Sequence, residues 1–342
     1  MRWDELRIEA EESRELPGYR DPAVVRTFEA PEALDTRFYE VRAKSALNRV
    51  PERSRMPFRW TVNPYRGCSH ACTYCFARPT HTYFDLGAGR DFEKEIVVKV
   101  NVPEVLRAEL QRPKWTHEHV ALGTNTDPYQ WVEGRYRLMP GIWEAFRDSG
   151  TPASVLTKSP LLLRDLELMR QVPDISAALS VPTLEEKAWR STEPHTPHPR
   201  ARLEAVAELN RAGIPTSVLI APLMPGVNDS PEQVERIVGL ATEAGAVSVG
   251  GIALHLRGEV KGIFFDWLRS QRPDLLPLYE RLYAGGAYVR PAERRRLAAL
   301  VRLPGSGKGR FSRPAVGRRA EAEAQLAARR RREAPPEQQP LF

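Results

Sequence analysis

The chain has 342 residues, of which 42% are hydrophobic and 28% charged, and its formal net charge is +7. A chain of this length can bury one core of about 200–250 residues and carry appendages. No apolar run approaches the ~20 residues of a membrane span, and the charged start MRWDELRIEAEESRE lacks a signal-peptide core. We therefore expect a cytoplasmic protein with no membrane partner. The modest positive charge permits nucleic-acid binding without demonstrating it.

The predicted elements follow one another as a strand–helix repeat. Residues 1–55 form an N-terminal extension rich in Glu, Arg and Pro, with little periodicity. From residue 58 onward, short apolar runs alternate with longer helical patterns. The predicted strands are 58–64, 119–123, 153–157, 175–181, 217–221 and 247–254; the predicted helices are 138–149, 160–170, 199–212 and 231–244, with 95–100 and 103–111 inserted after the first strand.

Short, continuous apolar strands separated by helices indicate a parallel sheet. Six units are too few for an eight-unit barrel, so the predicted fold class is α/β, a partial (β/α)6 barrel over residues 56–256. A helical segment over 257–304 and a flexible basic tail over 305–342 complete the predicted domain organisation. Ligands of such sheets bind at the carboxyl ends of the strands, where we expect the functional site.

Cys68, Cys72 and Cys75 are the only cysteines of the chain, and they follow the first predicted strand. A [4Fe–4S] cluster is normally held by four thiolates, so three leave one iron open to an outside ligand. The alternatives are a zinc site completed by His70 or His81, and three structural thiols. Zinc sites usually pair their ligands as separated Cys-x2-Cys knuckles, and this chain has no second knuckle. The spacing therefore favours the open cluster.

The spacing Cys-x3-Cys-x-aromatic-Cys, with Tyr74 before the last cysteine, resembles the motif of the radical S-adenosylmethionine (SAM) superfamily. Resemblance to its spore photoproduct lyase-like (DNA-repair photolyase-like) branch is carried over 58–255 by the strings NPYRGCSHACTYCFAR, ALGTNTDPYQ, TKSP, SVPT and APLMPGVND. The resemblance implies a partial barrel that binds one [4Fe–4S] cluster and SAM. It also implies hydrogen abstraction by a 5′-deoxyadenosyl radical and a reductant of the flavodoxin or ferredoxin type.

The resemblance implies cofactor-binding roles for residues that match by position. It places the three cysteines on the cluster and the backbone near Tyr74 beside the adenine. Thr126 and Asp127 follow the second strand, where many members have a segment that contacts the methionine amine. Lys158 and Ser180, after the third and fourth strands, would meet the carboxylate and the ribose hydroxyls. The simpler interpretations are a packing aromatic, an ordinary turn, a surface lysine and a capping serine.

The cysteine count departs from that branch in one respect. Spore photoproduct lyase relies on an additional cysteine as hydrogen-atom donor, whereas all three cysteines here are committed to the cluster. We therefore expect a substrate other than spore photoproduct, or another donor such as a tyrosine, and no auxiliary cluster. His70, inside the cysteine loop, is expected to face the loop or an electron donor rather than to bind metal.

The last five residues, 338–342 (QQPLF), resemble the pentapeptide with which bacterial replication and repair proteins dock on the DNA sliding clamp. In that resemblance Leu341 and Phe342 fill a hydrophobic pocket and Gln338 anchors the peptide, although Gln339 replaces the usual Leu. An ordinary chain end is the alternative. The tail favours an enzyme acting on DNA, at a lesion or modified nucleotide. The rival hypotheses are a radical SAM enzyme for a small molecule, RNA or protein, and a zinc-stabilised nucleic-acid-binding module without turnover.

Overall fold

A computed structural model describes residues 8–28, 30, 35–52, 54 and 56–301. These residues form two sheets with helices around them. The strands are β1 Ile8–Arg14, β2 Ala23–Phe28, β3 Arg37–Val41, β4 Leu47–Arg49, β5 Trp60–Val62, β6 Tyr65–Arg66, β7 Glu95–Lys99, β8 Val120–Leu122, β9 Ala153–Thr157, β10 Ser176–Ser180, β11 Thr216–Leu223 and β12 Val249–Ala253. The helices are α1 Arg90–Lys94, α2 Val102–Leu110, α3 Glu133–Tyr136, α4 Leu138–Ser149, α5 Leu166–Met169, α6 Glu186–Thr192, α7 Pro199–Arg211, α8 Pro231–Glu243, α9 Val260–Gln271, α10 Leu276–Leu282 and α11 Pro291–Leu300.

The larger sheet has the strand order β12-β11-β10-β9-β8-β5-β4. In this sheet, β5, β8, β9, β10, β11 and β12 each pair parallel with the next. β4 pairs antiparallel with β5 at the edge. Within the described chain, six parallel strands therefore lie side by side in their sequence order, with helices between them. This arrangement confirms the predicted α/β partial barrel. Each of the six predicted strands overlaps one of these observed strands.

Local sequence signals set the ends of the helices that cover this sheet. α8 begins after Ser230, whose hydroxyl accepts a hydrogen bond from the N–H of Gln233, and Pro231 occupies the first helical position. α4, which coincides with the predicted helix 138–149, ends at Gly150 in the left-handed conformation (φ 67°). The helices bury their apolar faces on the sheet; Trp143 of α4 is fully buried in this core.

A second sheet, in the order β1-β2-β3-β7-β6, is built mostly by the N-terminal extension. Although the sequence of 1–55 shows little periodicity, this extension contains β1 to β4. The inserted run 95–100 contains β7, which pairs parallel with β3. Glu95 of β7 fastens this pairing, because it accepts hydrogen bonds from Arg37 (3.0 Å) and from the Tyr39 hydroxyl (2.7 Å) of β3. Because these contacts join residues far apart in the sequence, the local hydrophobic pattern of the extension does not reveal its strands.

The described residues after β12 contain α9, α10 and α11. The predicted tail, with Gln338, Leu341 and Phe342, lies outside the described residues. In the described part, no helix is both long enough and apolar enough to span a membrane. The carboxyl ends of the parallel strands meet at one edge of the larger sheet, and the candidate site lies there.

Candidate cofactor site

The three cysteines lie on a loop after β6 that backbone hydrogen bonds close. The N–H of Cys68 donates to the carbonyl of Phe92 (2.8 Å), which anchors the start of the loop. The N–H of Ala71 donates to the carbonyl of Cys68, and that of Cys75 to the carbonyl of Cys72 (3.3 Å each). Ala71 has a left-handed backbone (φ 56°), a conformation rare outside Gly that tightens the turn. The loop brings all three cysteines to the wall of one cavity.

Arg78 is the main internal support of the loop. Its side chain is buried, and it donates to the carbonyls of Cys72 (3.0 Å) and Ala71 (3.2 Å). The same guanidinium forms an ion pair with Glu93 and lies 5.3 Å from the centroid of the Phe92 ring. Removing the guanidinium would take these hydrogen bonds from buried carbonyls, which is costly, and the Cys72 carbonyl would keep only the N–H of Cys75. Sequence reasoning did not single out Arg78, because nothing in its local spacing shows these contacts.

The cavity has a volume of about 200 Å³ and lies at the carboxyl ends of the parallel strands. The cysteine loop forms one side of it; the loop after β8, the carboxyl-terminal parts of β9, β10, β11 and β12, and the residues that directly follow β9 and β12 form the rest. Its lining residues are Cys68, His70, Cys72, Tyr74, Cys75, Phe76, Gly123, Asn125, Asp127, Leu156, Thr157, Lys158, Ser180, Leu219, Ala221, Pro222, Ile252, Ala253, Leu254 and His255. Four of the five predicted cofactor contacts are therefore on the cavity wall.

Asp127 ties the loop after β8 to the end of β9. Its carboxylate accepts hydrogen bonds from the Thr157 hydroxyl (2.6 Å) and from the N–H groups of Lys158 (2.7 Å) and Tyr129 (2.9 Å). The Nδ1 atom of His70 lies 3.4 Å from the same carboxylate, and His70 is buried rather than facing outward. Burial alone would raise the pKa of Asp127, but His70 and these hydrogen bonds outweigh it and hold the pKa below its ordinary value.

Thr126, the fifth predicted contact, is not part of the cavity wall. Its hydroxyl donates to the carbonyl of Tyr65 (2.8 Å) in β6. Gln130, three residues beyond Asp127, acts in the same way, because its side chain accepts from the N–H of Ser69 (2.9 Å). Thr126 and Gln130 thus fasten the loop after β8 to the start of the cysteine loop. In the structure, the Thr126 side chain therefore holds this loop in place and does not line the cavity.

Lys158 presents the cavity with a fixed positive charge. Its Nζ lies 2.9 Å from Oε1 of Glu193 and donates to the hydroxyl of Ser180 at 2.9 Å. The same ammonium is 5.7 Å from the centroid of the Tyr74 ring, and the Tyr74 hydroxyl donates to Glu193. The Ser180 hydroxyl in turn donates to the carbonyl of Ala221 (3.2 Å). Lys158 and Ser180, predicted from strand-end positions, and Tyr74, predicted from the cysteine motif, are therefore joined in one network.

Glu193 is the buried centre of that network. Its other carboxylate oxygen pairs with Arg202 of α7 at 2.7 Å, and neither side chain is exposed to solvent. Burial by itself would raise the pKa of Glu193, but the charges of Arg202 and Lys158 lower it to about 2. Arg202 also donates to the carbonyl of Ser180 (2.8 Å). Sequence reasoning missed both residues, because the run 193–202 is rich in proline and has the composition of an exposed loop.

The cavity wall offers three free thiols, the type of donor that an iron–sulfur cluster takes. Burial raises the pKa of Cys75 to about 11 and that of Cys72 well above its ordinary value, so metal binding must displace protons from these thiols. In the described part, no three His, Cys, Asp or Glu side chains are close enough to ligate a single ion. A [4Fe–4S] cluster takes each thiolate on a different iron. His81, an alternative zinc ligand, packs on the Phe92 ring outside the cavity.

Comparison with known sequences decides the family. The model of the Radical SAM superfamily matches residues 62–241, which contain the cysteine loop and the barrel strands β8, β9, β10 and β11. The chain belongs to the radical SAM superfamily. It is therefore an enzyme, and its membership supports radical chemistry on SAM. This finding opposes the alternative of a zinc-stabilised binding module without turnover.

The chain is also similar to individual proteins. The chain is 49% identical over 290 residues to an uncharacterized protein of Mycobacterium tuberculosis, covering 84% of this chain and 85% of that protein. It is 27% identical over 167 residues to the radical SAM Nalpha-GlyT isomerase of Pseudomonas phage M6, covering 48% of this chain and 33% of the isomerase. Spore photoproduct lyase complexed with dinucleoside spore photoproduct has a similar fold, with a TM-score of 0.57, 16% identity and 77% of each chain covered.

Proposed function

We propose that Cys68, Cys72 and Cys75 hold one [4Fe–4S] cluster and that the adjoining cavity binds SAM. The observation that carries this proposal is the position of the chain's three cysteines on one cavity wall, beside the fixed charge of Lys158. When bound, the cluster and SAM supply a 5′-deoxyadenosyl radical that removes a hydrogen atom from the substrate. An external reductant of the flavodoxin or ferredoxin type would provide the electron.

The residues of the cavity match the polar groups of SAM by charge. Lys158 would bind the methionine carboxylate, and the Ser180 hydroxyl would meet the ribose hydroxyls. Asp127, whose carboxylate stays ionised, would face the methionine amine. The backbone near Tyr74 would lie beside the adenine. Because Glu193 and the Asp127 contacts fix these groups before any ligand arrives, binding SAM would cost little rearrangement of the chain.

The test is SAM cleavage by the full chain after anaerobic reconstitution with iron and sulfide and reduction with dithionite. We expect release of 5′-deoxyadenosine by the wild-type protein and none by Cys72→Ala. Ser69→Ala is the matched control in the same loop, since Ser69 does not line the cavity, and it should retain cleavage. A colourless protein that binds zinc and releases no 5′-deoxyadenosine would contradict the proposal.

We further propose that the substrate is DNA that carries a lesion or a modified nucleotide. The support is the net charge of +7, the fold shared with spore photoproduct lyase, and the terminal peptide 338–342 as a hook for the sliding clamp. Spore photoproduct itself is not the expected substrate, because no cysteine remains to donate a hydrogen atom. Damaged and modified DNA should raise SAM consumption above that seen with RNA or small metabolites. Equal consumption with all of these would contradict a DNA substrate.

A further inference from the structure

Three aromatic side chains stand in a row at the mouth of the cavity: Phe76, His255 and Tyr288, here called the aromatic rim. The His255 ring lies between the other two, with centroid separations of 5.8 Å to Phe76 and 5.7 Å to Tyr288. These separations lie within the range at which aromatic rings attract one another. Phe76 and His255 line the cavity, and Tyr288 joins the row through a backbone bridge with His255. The rim therefore begins at the cysteine loop and runs outward.

The two ends of the rim are unusually open to solvent. Phe76 is 51% and Tyr288 52% exposed, while most aromatic rings of the described chain are buried. The Nδ1 atom of His255 is buried and has no hydrogen-bond partner among the described residues. Exposed apolar rings beside an unpaired buried nitrogen at a cavity entrance are features of a binding surface. The SAM-binding roles assigned above use none of these three side chains.

A second cavity, a shallow groove of about 420 Å³, lies beside the outer end of the rim. Its lining residues are Leu278, Arg281, Leu282, Ala284 and Arg290. Both arginines are exposed, and neither takes part in a salt bridge within the described chain. Val289 is buried between exposed Tyr288 and Arg290, so these two side chains leave the extended segment on the same side, about 7 Å apart. The row of aromatic rings thus adjoins a groove that carries two cationic side chains, and no acidic side chain lines that groove.

We infer that the aromatic rim stacks an unpaired nucleobase at the cavity entrance while Arg281 and Arg290 hold the phosphates of the same strand. Rings that accept bases and cations that follow the backbone are the combination by which proteins bind single strands. The inference rests on the proposed function for its choice of DNA, and it adds that the target nucleotide must leave the duplex. An enzyme that reacts at a base inside a cavity requires this extrusion, because a base stacked in a duplex cannot enter the cavity. The bare charge of the two arginines disfavours a neutral or cationic ligand.

Photocross-linking tests the placement of the base. The probe is a 12-nucleotide single strand of dT with one central 5-iododeoxyuridine, which cross-links on irradiation to aromatic side chains that stack on it. With the reconstituted full chain, we expect the cross-linked peptide to contain Phe76, His255 or Tyr288. Tyr288→Ala should reduce the yield at least 5-fold. Tyr83→Ala is the matched control, because Tyr83 is 78% exposed and lines neither cavity. Cross-links confined to residues 302–342, or an equal loss in the control, would overturn the inference.

Binding of the same strand, labelled with fluorescein, gives a second readout. Tyr288→Ala should weaken Kd roughly 5- to 100-fold, the range found for base stacking. Arg290→Gln should reduce the slope of log Kd against log salt by about 0.7, as expected for one phosphate contact to a single strand. An unchanged slope and an unchanged Kd would both contradict the inference.

SAM cleavage is measured in the same preparations, which separates the two proposals. Cross-linking at the rim by a protein that cannot cleave SAM would refute the proposed chemistry and uphold the rim. Cleavage of SAM by a protein that gives no rim cross-link would uphold the chemistry and refute the rim.

Discussion

Replacing Glu193 with Gln removes the one negative charge at the centre of the buried network. The Arg202 guanidinium would then stay buried without its partner, and Lys158 would lose the carboxylate that orients it. Breaking a buried ion pair by removing one partner costs roughly 3–5 kcal/mol. The pKa leads to a similar figure: lowering it from 4.5 to about 2 corresponds to about 3 kcal/mol, at about 1.4 kcal/mol per pH unit.

Thermal unfolding of the full chain at pH 7, followed by circular dichroism, measures this loss. A cost of this size should lower Tm by roughly 5–15 °C in a protein of this length. The control is Glu186→Gln in α6, because Glu186 is 53% exposed and forms a surface pair with Arg190 that contributes at most about 1 kcal/mol. In a protein of this length, a loss of about 1 kcal/mol lowers Tm by ~2 °C. A Tm for Glu193→Gln within about 2 °C of the wild type would therefore refute the reasoning.

The low pKa of Glu193 also predicts how the stability difference between the wild type and Glu193→Gln depends on pH. The folded pKa of Glu193 lies below its unfolded value, so its stabilisation is present in full above about pH 4.5 and is lost as the pH falls toward 2. The wild-type protein should therefore lose its advantage over Glu193→Gln across that interval. Parallel stability curves for the two proteins from pH 7 to the acid limit of folding would contradict the assignment.

Three further perturbations have expected outcomes. A Cβ at Gly123 would lie 1.8 Å from a carbonyl oxygen of β9, so Gly123→Ala should yield no soluble folded protein. Gly150 has open space around it, so Gly150→Ala should lower the free energy of unfolding, measured by chemical denaturation, by only roughly 1–2 kcal/mol. Similar stability of the two variants would contradict this. Lys158→Met should weaken SAM binding about 10- to 100-fold in equilibrium dialysis while iron content stays unchanged, and a Kd equal to the wild type would refute the role of the ammonium. Binding to a purified bacterial sliding clamp, measured by surface plasmon resonance, should disappear in the double variant Leu341→Ala, Phe342→Ala; equal binding by both proteins would refute the proposed hook.

The larger sheet could be predicted because its signals are local. Each barrel strand is a short apolar run between helices with recognisable ends, and the range 138–149 coincides with α4. The second sheet could not be predicted in this way. Its strands depend on contacts such as Glu95 with Arg37 and Tyr39, which join residues 56 or more positions apart.

The candidate site shows the same division. Lys158 and Ser180 could be chosen from their positions after neighbouring strands, and their side chains are in contact at 2.9 Å. Glu193 and Arg202 could not, because a proline-rich run gives no indication that it folds back under those strands. Thr126 has the residue type and position of a ligand contact, yet its hydroxyl bonds to the backbone of β6. Direction of a side chain depends on packing, which spacing alone does not specify.

Electron paramagnetic resonance of the anaerobically reconstituted, dithionite-reduced protein, combined with an iron count, tests the central claim most directly. A cluster held by Cys68, Cys72 and Cys75 predicts about four irons per chain and the signal of a reduced [4Fe–4S] centre. SAM should change that signal, because the fourth iron is open to it. Zinc in place of iron, or a cluster signal that SAM leaves unchanged, would contradict the account.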